Sequence, residues 1–251
     1  MKPRRSDAHY SYSVYADPDM ARTFDDRRFG GPIGELVARS QARVLANMVG
    51  RIQERRILDV GTGTGRVAIL LAHGAARVTA VDASEQMLAI ARRRAEEALV
   101  KVRFKVGDAH HLEFPDRDFD VVVAFRLLMH TPEWKRCLAE MCRVSDRLVI
   151  IDYPSATSFA LVESFVRKIA HAVGLRTEPY RVFTRGMIDA ALAQSGYRIR
   201  SVHRQWVLPI AFHKALGSRR FTLWAERRLD RLGLLKPFGS PVTLVAERCD
   251  P

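Results

Sequence analysis

The chain has 251 residues, of which 47% are hydrophobic and 27% are charged, a composition typical of a folded globular protein that excludes a disordered one. Its net charge of +13 is carried mostly by arginines spread along the chain, so the charge favours a basic surface over a dedicated nucleic-acid tail. The three cysteines show neither a zinc-ligand spacing nor a disulfide framework, and neither a signal-peptide core nor an apolar run of about 18 residues occurs, so we expect a cytoplasmic location.

The N-terminal segment is predicted to be helical. An apolar stripe at helical spacing runs from Ile33 to Met48, and Gly50 is a plausible stop. The preceding 30 residues are polar with interspersed aromatic residues, which are Tyr10, Tyr12, Tyr15, Phe24 and Phe29.

Three alternating glycines follow the first predicted strand, which is Ile57 to Val60. The glycines are Gly61, Gly63 and Gly65, and an apolar helical pattern begins directly after them. Backbone without Cβ atoms can approach a ligand closely, and the amides at the start of a helix favour a carboxylate or a phosphate. The turn therefore predicts a nucleotide or amino-acid carboxylate site.

The glycine spacing differs from two common nucleotide motifs. Arg66 stands where the third glycine of a dinucleotide fingerprint would fall, and no phosphate-loop Lys-Ser/Thr pair is present. With Asp59, the stretch reads D-x-G-x-G-x-G, and it resembles the first motif of the class I S-adenosylmethionine-dependent methyltransferases.

Acidic residues also follow the next two predicted strands. Asp82 ends the strand at Val78 to Val81, where a carboxylate can accept hydrogen bonds from both ribose hydroxyls; a role as a mere helix cap beside Ser84 is the alternative. Asp108 follows the strand at Val102 to Val106. In the resembled family, an Asp there accepts from the adenine amino group and the next amide donates to the ring.

The order of elements predicts an α/β doubly wound fold. A fourth strand at Phe119 to Ala124 is apolar throughout, a helix begins near Thr131, and a fifth strand spans Arg147 to Ile151. The resemblance, which covers about residues 55–154, implies a mostly parallel seven-stranded sheet of the Rossmann-like methyltransferase type, with N-terminal helices and helical cap insertions.

We expect a single domain over residues 1–251. Its predicted parts are an N-terminal helical lid at 1–54, a cofactor-binding core at 55–154, cap insertions at 155–183 and 209–236, and the C-terminal part of the sheet at 184–208 and 237–251.

The resemblance implies S-adenosyl-L-methionine as the cofactor. It also implies that the N-terminal helices fold over the cofactor, with Tyr15 or Phe29 lining it, although these aromatic residues fit equally well as anchors of the lid. The implied cofactor-binding residues are Asp59, Gly61, Thr62, Gly63, Gly65, Asp82, Ala83, Met87, Gly107, Asp108, Ala109 and Phe125.

The acceptor is predicted to be small and apolar or aromatic. The Asn/Asp-Pro-Pro-Tyr sequence of nucleic-acid amino methylases is absent after the fourth strand, where Phe125 to His130 stands instead, and the resemblance is closest to ubiquinone and menaquinone biosynthesis enzymes. His130 is the candidate base for O- or C-methylation, with helix capping as its alternative role. N-methylation stays open, and no metal ligands are predicted.

A lid must exclude water with large apolar side chains, so we expect Tyr153, Phe165, Trp206 and Phe212 near the acceptor. Nucleic acid is disfavoured as a partner, and peripheral membrane contact stays open because the predicted cap helices pair apolar faces with basic residues. The alternatives are an RNA methyltransferase and a catalytically silent S-adenosylmethionine-binding protein.

Overall fold

The computed structural model describes residues 18–50, 53–172 and 180–249. The first 17 residues of the predicted lid, with Tyr10, Tyr12 and Tyr15, lie outside the described residues, as do residues 173–179 of the first predicted cap insertion.

The described strands form one seven-stranded sheet. They are β1 (Arg56–Val60), β2 (Arg77–Asp82), β3 (Val102–Val106), β4 (Phe119–Ala124), β5 (Ser145–Tyr153), β6 (Tyr197–Arg204) and β7 (Val242–Arg248). Their spatial order is β3-β2-β1-β4-β5-β7-β6; β7 runs antiparallel to β5 and β6, and all other pairs of neighbours are parallel. The predicted doubly wound, mostly parallel seven-stranded sheet is confirmed.

Helices connect the strands and cover both faces of the sheet. Those of the described residues are α1 (Pro18–Phe29), α2 (Gly31–Val49), α3 (Arg66–His73), α4 (Glu85–Glu97), α5 (Trp134–Val144), α6 (Ala160–Ala172), α7 (Arg185–Gln194), α8 (Ile210–Leu216), α9 (Arg219–Arg231) and α10 (Leu235–Phe238). The side chains of Ser84, Thr184 and Ser218 accept hydrogen bonds from backbone amides in the first turns of α4, α7 and α9, which fixes where these helices begin.

The core has one layer on each face of the sheet. Successive residues of a strand point to opposite faces, so Leu58 packs with Leu138 of α5 while its neighbour Ile57 packs with Leu71 of α3. The central strand β4 supplies buried side chains to both layers, which explains why its sequence is almost entirely apolar.

Several predicted boundaries differ from the observed ones. The helix after β4 begins at Trp134, because Leu128–His130 forms a separate 3₁₀ turn. Strand β5 begins at Ser145, where it pairs with Phe119. Strand β6 ends at Arg204, within the range predicted for the C-terminal part of the sheet, and the amide of Val207 then donates to the carboxylate of Glu226.

The segment between β6 and β7 is held by a buried cluster of hydrogen bonds around Glu226. Glu226 of α9 accepts hydrogen bonds from the amides of Val207 and Leu208, at 2.7 and 3.0 Å, and lies 2.8 Å from Nε2 of His213 of α8. Helices α8 and α9 also contact α2, and Lys214 Nζ donates to the carbonyl of Arg28 at 2.9 Å. The second insertion therefore packs against the N-terminal helices.

Among the residues that the structure describes, no helix combines the length and the apolar character needed to cross a bilayer.

Replacing Glu226 with Ala should loosen the second insertion without unfolding the sheet. The change leaves two backbone amides and His213 without their acceptor, and each buried unsatisfied donor costs about 1–3 kcal/mol. We expect hydrogen exchange to show a local opening free energy lower by about 3 kcal/mol over residues 207–231. Asp230→Ala, an exposed change on the same helix, is the control; equal exchange in both variants would contradict the anchoring role.

Candidate functional site

A cavity of about 370 Å³ lies at the carboxyl ends of β1 to β4. The order of the strands reverses between β1 and β4, which is the place where doubly wound sheets bind ligands. The predicted residues that line it are Asp59, Gly61, Thr62, Gly63, Asp82, Ala83, Met87, Gly107, Asp108, Ala109, Phe125 and His130. The structure therefore brings together all the predicted cofactor-binding residues except Gly65, and it places the candidate base beside them.

The glycine turn forms one wall of the cavity. Gly61 and Gly63 have positive φ angles of 71° and 55°, in the region that favours glycine. A Cβ atom on Gly61 would stand 2.8 Å from Leu127 Cδ1, whereas one on Gly63 would meet no atom within 4 Å. The turn is tied to β2, because the amides of Gly61 and Thr62 both donate to the carbonyl of Val81. The backbone at Gly63 is thus open to a ligand.

Gly65 lies just beyond this wall, as the N-cap of α3 with a φ of 82°. A Cβ atom there would stand 2.9 Å from the Cβ of Ala91 on α4. Gly65 therefore lies where α3 and α4 approach each other closely.

Asp59 is a buried carboxyl group beneath the turn. Its Oδ2 accepts a hydrogen bond of 2.7 Å from the hydroxyl of Thr62. Burial raises the pKa of Asp59 to about 7; the Thr62 hydroxyl opposes this rise and the nearby Asp82 adds to it. The carboxyl group therefore titrates near neutrality in the folded chain.

Asp82 joins the ends of β1 and β2. Its Oδ2 accepts from the amide of Gly63 at 2.7 Å, and its Oδ1 accepts from the amide of Ser84 at 2.9 Å. Burial raises the pKa of Asp82, although these backbone amides and that of Ala83 oppose the rise. A carboxylate oxygen has more than one acceptor direction, so these bonds leave room for a ligand hydroxyl.

Asp108 lies at the end of β3 and is paired with His110. Its Oδ1 lies 2.8 Å from Nδ1 of His110 and accepts from the His110 amide at 2.9 Å. The hydrogen bond from the His110 side chain lowers the pKa of Asp108, so this carboxylate is ionised. Gly107 packs under the loop, where an added Cβ atom would stand 2.9 Å from Val81 Cγ1.

The loop after β4 contains a strained residue. Arg126 lines the cavity with a φ of 59°, a left-handed conformation that is uncommon for a residue with a side chain. Its amide donates to Oδ1 of Asp152 at the end of β5, which holds the loop in place. Burial raises the pKa of Asp152 to about 7, against the opposing charge of Arg28. His130 ends the same loop and is buried at the cavity wall.

Residues of the N-terminal helices complete the cavity. Phe24, Asp25, Arg28 and Phe29 of α1 and Gln41 of α2 line it, so the structure places Phe29 at the cavity. Asp25 accepts from the hydroxyl of Thr64 at 2.9 Å and forms an ion pair with Arg94 of α4.

Arg66 links the turn to these helices. Its guanidinium carbon lies 3.5 Å from the centre of the Phe29 ring, and it donates to Gln41 Oε1 at 2.8 Å. Burial, together with Arg94 and Arg28, lowers the pKa of Arg66, and Asp25 opposes this effect. Apart from Phe29, the sequence did not predict that residues of α1 and α2, or Arg66, would line the cavity, because they form no motif.

The four residues expected near the acceptor lie elsewhere. Tyr153 is buried in the core, where its ring meets that of Phe183 at 6.0 Å, because it points to the opposite side of β5 from Asp152. Phe165 is exposed to solvent on α6.

Trp206 and Phe212 each pack an edge against the His213 ring, 6.0 Å away, within the second insertion. None of the four lines the cavity, so the structure does not bring them to the predicted cofactor site, and their role near an acceptor stays a prediction.

In the part of the chain that the structure describes, no cluster of three or more His, Cys, Asp or Glu side chains is arranged to hold a metal ion.

Comparisons with known proteins agree with the fold. Residues 57–147 match the family described as methyltransferase domain. The chain is 41% identical over 105 residues to a demethylmenaquinone methyltransferase of Thermus thermophilus, which covers 40% of this chain and 48% of that protein. It is 37% identical over 130 residues to a phosphatidylethanolamine N-methyltransferase of Cereibacter sphaeroides, which covers 49% of this chain and 64% of that protein. The matched region thus spans less than two thirds of the length of these relatives.

A solved structure extends the likeness to the whole chain. The magnesium protoporphyrin IX methyltransferase of Synechocystis, crystallised with bound SAM, superposes with a TM-score of 0.62 at 19% identity and covers 97% of this chain and 100% of that chain. At this identity the likeness concerns the fold.

The free energy of unfolding should depend on pH through Asp59. The folded chain holds a proton on this group up to about pH 7, whereas the unfolded chain releases it near its ordinary value of 3.8. The contribution of Asp59 to the free energy of unfolding is therefore fully present below about pH 4, and it is lost as the pH rises through about 7. Relative to Asp59→Asn, the stability of the cofactor-free wild type should therefore fall by up to about 4 kcal/mol between pH 4 and 8.

Urea unfolding of both forms across this range measures the difference, with Asp230→Asn at an exposed position as the control. A difference between wild type and Asp59→Asn that stays constant with pH would contradict the titration of Asp59.

Proposed function

We propose that this chain, whose core is a class I methyltransferase domain, binds S-adenosyl-L-methionine in the cavity and transfers its methyl group to a small apolar or aromatic acceptor. The observation that carries the proposal is the set of three carboxyl groups, Asp59, Asp82 and Asp108, at the ends of three adjacent strands around one cavity with a glycine wall. Relatives named as methyltransferases support the same activity.

The residues of the cavity fit the cofactor. We assign the ribose hydroxyls to Asp82 and the adenine edge to Asp108 and the amide of Ala109. The open backbone at Gly63 is a cradle that a Cβ atom would fill, and it suits the methionine part of the ligand. Arg66, held in place by Phe29 and Gln41, provides a positive charge on the same side of the cavity.

The bound cofactor supplies a methyl group already activated by its sulfonium. The contribution of the chain is then alignment and exclusion of water. Phe24 and Phe29 of α1 and Phe125 after β4 provide apolar walls for this purpose. The hydrogen bond from the Arg126 amide to Asp152 fixes the loop that carries Phe125, and so it fixes the wall.

His130 is the proposed general base where the acceptor is a hydroxyl or an acidic carbon. Its position at the cavity wall lets the imidazole accept the proton that the acceptor loses. An amine acceptor needs no such base, so the effect of replacing His130 also reports on the kind of atom that is methylated.

Several observations support a small acceptor. The named substrates of similar proteins are a quinone precursor, a phospholipid and a porphyrin, all of them apolar or aromatic in large part. The Asn/Asp-Pro-Pro-Tyr sequence of nucleic-acid amino methylases is absent after β4, where Phe125 to His130 stands, which disfavours the RNA alternative. Methylation of any acceptor would exclude the alternative of a catalytically silent S-adenosylmethionine-binding protein.

Replacing Asp82 with Ala should weaken the binding of S-adenosylmethionine about tenfold or more. The change removes hydrogen bonds to the ribose, each worth about 1.5–3 kcal/mol when the acceptor is charged, and it frees the amide of Gly63. Calorimetry measures the affinity, and Asp118→Ala at the amino end of β4 is the control. Unchanged affinity in Asp82→Ala, or tighter binding of NAD than of S-adenosylmethionine, would overturn the assignment.

Replacing His130 with Gln should lower the turnover number by about 10²–10⁴ for an oxygen or acidic-carbon acceptor, with unchanged cofactor affinity. A screen of metabolite extracts that follows transfer of a labelled methyl group identifies the acceptor, and steady-state kinetics then compares the variants. His111→Gln, on the exposed neighbour of His110, is the control. Equal turnover in both variants would exclude His130 as the base.

A further inference from the structure

Helix α6 carries an apolar stripe on its solvent side. Val162, Phe165, Val166 and Ile169 follow one another at helical spacing and are 61%, 63%, 57% and 51% exposed. The helix is attached by a polar residue instead, because the buried Ser164 donates to the carbonyl of Tyr180 at 2.7 Å. Packing within the described residues therefore does not explain the stripe.

Helix α9 presents a second unusual face. Arg220, Trp224, Arg227 and Arg231 fall on one side of the helix, while Thr222 and Ala225 are buried on the other. Trp224 is 57% exposed. Within the described ranges, none of these arginines forms an ion pair or a side-chain hydrogen bond with another residue. The exposed Asp230 is the acidic neighbour of Arg227 and Arg231 on this helix, so three arginines and one carboxylate leave the face with a positive net charge.

The start of α6 and helix α9 both lie against α10. The Thr157 hydroxyl, before α6, donates to the Pro237 carbonyl of α10 at 2.6 Å, and α10 also contacts α9. Arg204 bridges the same two segments, since its guanidinium donates to Ser155 Oγ and to the carbonyl of Gly239. We name the exposed residues of α6 and α9 given above the cap surface.

We propose that the cap surface docks on an anionic lipid bilayer. Arginines donate to lipid phosphates while their stems lie along the acyl boundary, and an exposed Trp suits the interface between water and hydrocarbon. The stripe of α6 supplies the apolar side chains that enter the outer part of the bilayer. A nucleic acid would pair with the arginines but leave this stripe in water, whereas a second copy of the chain would cover the stripe but bring like charges together. Only the bilayer satisfies both halves of the surface.

The test is co-sedimentation of the full chain with vesicles of phosphatidylglycerol and phosphatidylcholine, compared with vesicles of phosphatidylcholine alone. We expect binding to the anionic vesicles that weakens with salt. The variant Arg220→Gln/Arg227→Gln/Arg231→Gln should bind at least about tenfold more weakly, because each arginine near an anionic surface contributes about fivefold to partitioning.

The matched control neutralises three other exposed arginines, as Arg77→Gln/Arg103→Gln/Arg147→Gln. These lie towards the amino ends of β2, β3 and β5, away from the cap surface, and also have no ion pair among the described residues. The control should bind within about twofold of the wild type, and both variants should keep their affinity for S-adenosylmethionine.

Two further measurements address the apolar contact. The variant Val162→Ser/Phe165→Ser should lower vesicle binding without changing the net charge. Anionic vesicles should shift the tryptophan emission to the blue, and Trp224→Phe should remove most of this shift, since Trp134 is buried and Trp206 is partly buried.

Three results would overturn the proposal. They are equal binding to both kinds of vesicle, equal loss in the α9 variant and its matched control, and polynucleotide binding that depends on the α9 arginines without vesicle binding. Dissociation of a dimer by Val162→Ser/Phe165→Ser, with unchanged vesicle binding, would assign the surface to a second copy instead.

Discussion

The two hydrogen bonds that Asp82 accepts hold the candidate site together. One comes from Gly63 in the turn after β1 and the other from Ser84 at the start of α4, so a single carboxylate connects the loops that follow two neighbouring strands. The group is partly buried, and its charge is stabilised by amides rather than by a cation. The same carboxylate that would receive a ribose thus also sets the shape of the glycine wall.

The sequence predicts those site residues that lie at the carboxyl ends of strands. In a parallel sheet, the carboxyl ends of neighbouring strands meet at one edge, so the sequence alone predicts that Asp59, Asp82 and Asp108 face one cavity. The caps at Ser84 and Thr184 were predictable for a similar reason, because an N-cap acts on amides two or three residues away.

Contacts between distant segments were not predictable in this way. The pairing of Asp25 with Thr64 joins positions 39 residues apart, and neither side chain belongs to a periodic pattern. Periodicity likewise revealed the apolar stripe of α6 but not what it faces. We expected the stripe to turn inward over an acceptor, whereas Ser164 attaches the helix and turns Phe165 to solvent. Tyr153 lies in the core and away from the cavity, since successive residues of β5 point to opposite faces of the sheet.

The second insertion is connected to the cavity through the N-terminal helices. Lys214 of α8 donates to the carbonyl of Arg28, and the side chain of Gln205 donates to the hydroxyl of Ser40 on α2 at 2.9 Å. Helix α1 supplies Phe24 and Phe29 to the cavity, so the second insertion holds in place a helix that forms part of the cavity wall. A shift of α8 would therefore be transmitted to the cavity through the contact with Arg28, which lies on the same helix as both phenylalanines.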